Sequence, residues 1–152
     1  QAKMYMFILT FTLYVHSVLH TPSLNQLILS KFIAEDYLER HIMKMKKIYK
    51  NRRDFLIQQL KSTFSNTINI FGYFTVLHLI VEFNQVQFTK ELLEKIQQLG
   101  VKVYPVEDHA IEKGKHYNRI IIGYGHLTTA EIKEGVSRLQ RVILRIYILV
   151  SK

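Results

Sequence analysis

The sequence predicts an α/β or α+β domain, in which helices cover one sheet of about four strands. Segments with apolar residues at helical spacing alternate with short segments rich in β-branched residues. Their order is helix, helix, two strands, helix, two strands, helix, which is typical of a sheet under helices. The chain has 152 residues, of which 48% are hydrophobic, so it is long enough to bury one core.

The first predicted helices lie between Leu24 and Leu60. Thr21-Pro22-Ser23 comes just before them, and a hydroxyl residue beside proline suits a helix cap and first turn. A run of 37 residues is long for one globular helix. We therefore expect two helices, with a bend near Glu35-Asp36-Tyr37.

The second of these helices contains the basic stretch 41–56, HIMKMKKIYKNRRDFL. Its apolar residues fall on one stripe, which predicts a helix that packs through the stripe and leaves its charges in solvent. The alternative is a nucleic-acid-binding surface, which the formal charge of +9 favours. Exposed aromatic residues that stack on single-stranded bases are not interleaved with these charges. The basic residues are Lys44, Lys46, Lys47, Lys50, Arg52 and Arg53.

Four segments rich in β-branched and aromatic residues predict the strands of the sheet. They are Ile68–Phe71, Val76–Phe83, Val101–Val106 and Arg119–Gly125. The polar stretch Glu107–Asn118 would join the last two strands like a hairpin.

Two further helices complete the expected order. Phe88–Leu99 returns to helical spacing, and Gly100 follows where a left-handed C-cap belongs. Thr128-Thr129-Ala130-Glu131 has the pattern of a capping box, in which Thr128 and Glu131 each bind the other's backbone. This pattern predicts the start of the last helix.

Few residues suggest chemistry. The chain has no cysteine, which excludes disulfides and thiolate metal sites and favours a reducing, cytoplasmic compartment. The seven histidines lack metal-binding spacing, and no glycine-rich phosphate loop or nucleophile elbow is present. We therefore predict no catalytic, cofactor-binding or metal-binding residue. Glu107-Asp108 reads as a solvated turn, and His78 as a core histidine.

Arg119 is the one candidate ligand-binding residue. It begins an otherwise aliphatic strand, so its guanidinium would lie at the mouth of that strand. An arginine there can hold a carboxylate through two parallel hydrogen bonds. The alternative is that Arg119 pairs with a nearby acid or a helix end.

The apolar run Met4–Val15 is too short to cross a bilayer as a helix, which needs about 20 residues. It also lacks a signal-peptide cleavage site, so we expect a buried strand or helix and no membrane association. A run of this kind also suggests a chain taken from something larger, or one that packs on a second copy.

The order of motifs resembles a known family. QLILSKFIAEDYLERHIMKMKKIYKNRRDFLIQQL is followed by TVLHLIVEF, LGVKVYP and RIIIGYGHLTTAEIKEGVSRL. Together these segments resemble the C-terminal part of MocR-type transcriptional regulators of the GntR family, over about Ser23–Leu144. The effector half of that family is similar to a fold-type I aminotransferase. The resemblance implies that 23–152 is the small C-terminal domain, and that 1–22 is a remnant of a preceding domain or a linker.

The resemblance also implies properties of a longer parent protein. Members of the family are bacterial homodimers that bind DNA through a winged helix, hold pyridoxal 5′-phosphate on a lysine and respond to amino-acid-like effectors. Neither the winged helix nor the cofactor segment is recognisable here, and Lys31 follows Ser30 inside a helical pattern rather than a loop. This chain alone should therefore hold no cofactor and catalyse no reaction.

Two alternatives stay open at this point. One is that the chain is the C-terminal portion of a genuine aminotransferase of the same fold, which the sequence upstream of Gln1 would distinguish. The other is a stand-alone basic nucleic-acid-binding module.

Two departures from the family concern its ligand site. The carboxylate-binding arginine of aminotransferases aligns with Ile121, two residues after Arg119 and on the same strand face. Members that respond to GABA have an arginine where this chain has Glu107-Asp108-His109. The missing arginine argues against GABA as the effector.

Overall fold

The computed structural model describes residues 23–73 and 77–150. The helices of these residues are α1 (Ser23–Ala34), α2 (Tyr37–Phe64), α3 (Lys90–Gln98), α4 (Val106–His109) and α5 (Thr129–Val150), with a 3₁₀ turn at Ser65–Thr67. The strands are β1 (Ile68–Phe71), β2 (His78–Phe83), β3 (Tyr104–Pro105) and β4 (Arg119–Gly123). The predicted fold class, one four-stranded sheet with helices, is confirmed.

The strands form one antiparallel sheet in the order β1-β2-β4-β3. The register of the two central strands places Ile80 opposite Ile121, and Glu82 opposite Arg119. In β1, Phe71 lies opposite Ile80 and Asn69 lies opposite Glu82. Because opposed residues of an antiparallel pair share a face, this register defines two different faces of the sheet.

One face of the sheet carries the core. Its buried residues alternate along β1 and β2, include Ile120 of β4, and pack with buried residues of α2, α3 and α5. Removing these side chains from water supplies the main stabilising free energy of the domain. The core includes Leu56, Leu60, Phe64, Ile68, Leu79, Val81, Phe83, Leu92, Ile96, Ile120, Ile132, Val136, Leu139 and Ile143.

The bend expected near Glu35-Asp36-Tyr37 is present. Helix α1 ends at Ala34 and α2 begins at Tyr37, and Asp36 between them has a φ of 59°, in the left-handed region that ends a helix. None of the residues of α1 is buried. The chain divides into two compact units, the first ending at Lys44 and the second beginning at Met45.

Two of the predicted helix caps are confirmed, whereas Thr21 and Pro22 of the first one lie outside the described residues. Gly100 has a φ of 74°, and its N–H donates to the carbonyl of Gln97 at 2.8 Å. At the start of α5 the Thr128 N–H donates to the Glu131 carboxylate at 2.7 Å, and the Glu131 N–H donates to Thr128 Oγ1 at 3.3 Å. These reciprocal bonds form the capping box.

Several predicted boundaries were wrong. β3 has two residues rather than Val101–Val106, because a proline lies at its end and the chain turns directly into α4. Helix α3 begins at Lys90, since Thr89 caps it and Phe88 belongs to the core before it. β4 ends at Gly123, two residues before the predicted Gly125. Val76, the first residue of the predicted second strand, and the run 4–15 lie outside the described residues, and β2 begins at His78.

Candidate functional site on the open face of the sheet

The face of the sheet opposite the core is open and carries two rows of side chains. The polar row consists of Asn69, Glu82 and Arg119, one from each of three neighbouring strands. Beside it, the apolar row crosses all four strands. The residues of the apolar row are Phe71, Ile80, Ile121 and Tyr104. Phe71 is 43% exposed and Tyr104 is 46% exposed, so this row is accessible from outside the domain.

Arg119 binds within the polar row. Its Nε donates to Glu82 Oε1 at 2.8 Å, and its Nη1 lies 3.2 Å from His116 Nδ1. The guanidinium carbon lies 5.4 Å from the centre of the Phe71 ring, a distance at which cation and ring attract each other. Arg119 therefore has an internal carboxylate partner, the alternative raised from the sequence. Its role toward an external carboxylate stays a prediction.

Glu82 is the charged residue that the sequence reading missed. Hydrogen bonds from Asn69 and from Arg119 hold the pKa of the Glu82 carboxyl below its ordinary value of 4.5. The Asn69 amide donates at 3.1 Å to the oxygen that Arg119 does not bind. A sequence signal existed: two strongly apolar strands each carry one charge, and the charges are of opposite sign. Cross-strand ion pairs favour that register.

The connection between β3 and β4 is organised by Glu107. Its carboxylate accepts hydrogen bonds from the N–H groups of Gly114, at 2.5 Å, and His116, at 3.0 Å, and the first of these is the main cause of its lowered pKa. Lys113 Nζ donates to the carbonyls of Glu107 and Asp108. Glu107 therefore holds a loop, and through His116 it positions the neighbour of Arg119.

Two arginines of α2 hold backbone at the other end of the sheet. Arg52 donates to the carbonyl of Gly125, after β4, and Arg53 donates to the carbonyl of Tyr73 at 2.7 Å, before β2. Arg53 also pairs with Asp54 at 2.8 Å. The prediction that all six basic residues of this stretch are solvated charges was wrong for these two, because a guanidinium can reach and bind loop carbonyls beside the helix.

The stripe of the same helix packs as predicted only in its later part. Leu56 is buried, Met45, Ile48 and Tyr49 are half-buried, and Ile42 is 42% exposed. His78 was predicted in the core, but the structure places it on the exposed side of β2. Alternation explains the error, since Leu79 and Val81 take the buried side and His78 cannot share it.

An apolar cavity of about 690 Å³ lies between Gly100–Tyr104 and α5, and it shares Tyr104 with the open face. Two of its charged lining residues are already held, Glu131 by Thr128 and Arg138 by Glu134. The cavity is mainly apolar and these charged groups are bound within the protein, whereas ligand sites combine an apolar lining with polar groups that orient the ligand. We therefore take the open face as the candidate site.

The residues present do not fit a pyridoxal phosphate site on their own. Lys31 lies within α1, is exposed and pairs with Glu35 at 3.8 Å. Across 23–73 and 77–150 no three metal-ligand side chains come together, and no helix is long and apolar enough to cross a membrane. The described residues thus supply an open sheet face and a carboxylate–arginine pair.

No protein-family model matches the chain. An uncharacterized HTH-type transcriptional regulator of Bacillus subtilis, YhdI, is 28% identical over 116 residues, which are 76% of this chain and 24% of that protein. An uncharacterized aminotransferase of Saccharolobus solfataricus is 31% identical over 139 residues, covering 88% of this chain and 33% of that protein. The chain thus spans about a quarter to a third of the length of these relatives.

Solved structures share the fold. A multiple substrate aminotransferase from Thermococcus profundus superimposes with a TM-score of 0.73 at 24% identity, over 86% of this chain and 32% of that one. The predicted resemblance to the aminotransferase-like part of a transcriptional regulator is therefore confirmed. The chain corresponds to one portion of an aminotransferase-like domain, of the kind found in HTH-type regulators as well as in aminotransferases.

Proposed function

We propose that this chain is the small C-terminal portion of the effector and dimerisation half of a MocR-type, GntR-family regulator. The observation that carries the proposal is the similarity to an HTH-type regulator over 76% of the chain, combined with an aminotransferase fold. On this proposal the parent is a bacterial, cytoplasmic homodimer. It binds DNA through a domain outside this chain and takes an amino-acid-like effector beside pyridoxal 5′-phosphate.

In the parent, this portion would supply the open sheet face as one wall of the effector site. Phe71, Ile121 and Tyr104 give that wall an apolar surface, and Arg119 and Glu82 give it a charged row. The cofactor lysine would come from the rest of the parent, because Lys31 is an exposed residue in a helix.

Arg119 is the residue that we propose for the effector carboxylate. Its guanidinium already binds Glu82, so an incoming carboxylate has to displace that partner or share the arginine with it. E82Q removes the competing charge and should strengthen effector binding to the full-length parent, whereas R119Q should weaken it. Calorimetric titration with amino acids measures both changes, and equal affinities in the two variants would remove Arg119 from the proposal.

A second candidate function is a genuine aminotransferase, favoured by the 31% identity to the Saccharolobus solfataricus protein. The two functions differ in the sequence upstream of Gln1. A winged helix there supports the regulator. Its absence, together with transaminase activity of the full-length protein, supports the enzyme.

The claim that the chain lacks the cofactor lysine has its own test. The purified chain is mixed with pyridoxal phosphate, and its absorbance near the edge of the visible range is followed before and after borohydride. We expect no stoichiometric band that borohydride removes. Such a band, if lost in K31A, would assign the lysine to this chain and overturn the claim.

A further inference from the structure

Helix α2 carries a row of lysines that the proposed function does not use. At 100° per residue, Lys46, Lys47, Lys50 and Lys61 fall within an arc of about 100° along about 22 Å of helix. All four are exposed, and none has an ion pair or hydrogen bond with the described residues. We call these four residues the lysine face.

No acid of the helix neutralises this face. The carboxylate within the arc is that of Asp54, and Arg53 binds it at 2.8 Å. Lys46 and Lys50 lie one turn apart, so their like charges repel each other. Four unpaired ammonium groups held in one row are unfavourable for the isolated helix, and an external polyanion would relieve that repulsion.

The spacing and chemistry fit the phosphates of a DNA duplex. A duplex presents about one negative charge per 1.7 Å of axis, so it offers more than enough phosphates along the length of the face. Lysine is a compact point charge, which contacts phosphate without demanding the fixed geometry of a guanidinium. Such contacts position a protein on DNA and carry no sequence information.

We propose that the lysine face contacts the DNA backbone without sequence preference, as a second contact beside the DNA-binding domain of the parent. The inference rests on the proposed function for the presence of DNA. Its test does not, because the isolated 152-residue chain contains the whole face. Failure of the test leaves the proposed regulator intact.

The experiment measures binding of the purified chain to a 20-base-pair duplex by fluorescence anisotropy, at a series of salt concentrations. K46Q/K47Q/K50Q is compared with the control K90Q/K95Q/K133Q, whose three lysines are also exposed. Each variant loses three positive charges, so both have a formal charge of 9 − 3 = +6. Thermal unfolding should show a midpoint at least as high for the lysine-face variant as for the control, so that weaker binding reflects lost contacts and not lost folding.

We expect the slope of log K against log salt to become shallower by about 2.7 in the lysine-face variant, which is about 0.9 for each lost phosphate contact. In the control the slope should stay near that of the wild type. An equal loss in both variants would attribute binding to net charge and overturn the proposal. Tighter binding to phosphatidylserine vesicles that depends equally on these lysines would also overturn the proposal, because it would assign the face to a membrane surface.

Discussion

The arginines and the lysines of one ten-residue stretch of α2 make different contacts. Arg52 and Arg53 each donate to a loop carbonyl, and so tie α2 to the chain before β2 and after β4. Lys46, Lys47 and Lys50 have no described polar partner and stay in solvent. Charge density alone does not separate these roles. Position around the helix does not separate them either, since Arg53 lies two turns after Lys46 and within about 20° of it. The difference is reach, because a loop carbonyl accepts a hydrogen bond from each arginine.

The largest effect in this comparison is expected for Arg52. R52A leaves the part-buried carbonyl of Gly125 without its guanidinium partner, so the free energy of unfolding should fall by about 1–3 kcal/mol. K50A, on the same helix, should change it by less than about 0.5 kcal/mol. Urea denaturation of both variants measures the difference. Equal losses would mean that the arginine is as dispensable for stability as the lysine.

A somewhat smaller effect is expected for the Arg119–Glu82 pair, which binds on the open sheet face. The pair is partly shielded, with side chains 32% and 16% exposed, so a double-mutant cycle of R119A and E82Q should give a coupling free energy of about 1 kcal/mol. The lysines have no such partner. The same cycle between Lys50 and Asp54 serves as the control, and a coupling as large as that of the sheet pair would contradict the comparison.

The fold was predictable where one local rule decided the structure. Thr128 and Glu131 sit at capping-box spacing, and Gly100 follows an amphipathic segment, so the sequence located both ends correctly. Richness in β-branched residues likewise identified β2 and β4. The long segment Leu24–Leu60 was divided correctly near Asp36, because a segment of that length rarely stays one helix.

The site was less predictable, because its contacts join residues distant in sequence. Arg119 meets Glu82 through strand register, and Arg52 meets Gly125, 73 residues away, through packing of a helix on a loop. Neither contact follows from periodicity. The error at His78 has the same origin, since its face depends on which residues of β2 the helices bury. Opposite charges in two apolar strands were the signal that sequence reasoning could have used.

The acid dependence of stability should also distinguish the sheet pair. Folding lowers the pKa of Glu82, first through the Asn69 amide and then through Arg119. The ionised carboxylate therefore contributes to the free energy of unfolding above about pH 4.5, and this contribution is lost as the pH falls and the folded protein takes up the proton. E82Q should therefore be less stable than wild type at pH 7, by a gap that narrows below about pH 4.5.

Urea midpoints from pH 7 to pH 3 measure this gap. The matched control is E94Q, which removes an exposed glutamate of α3 that has no described ion pair. A gap between E82Q and wild type that stays constant through this range would show that Glu82 does not stabilise the fold through its charge.

The smallest stability change is expected for the lysine face, and its sign matters more than its size. K46E places a glutamate one turn before Lys50, an arrangement that stabilises a helix by about 0.2–0.5 kcal/mol and replaces a repulsion. The same substitution should weaken DNA binding, since it replaces an ammonium group that contacts a phosphate by a carboxylate that repels it. If the lysines served the stability of the fold, K46E would not raise the free energy of unfolding. Urea denaturation and fluorescence anisotropy on this one variant measure both effects, and a DNA-binding surface predicts higher stability with lower DNA affinity. Lower stability would instead show that Lys46 supports the fold as the arginines do.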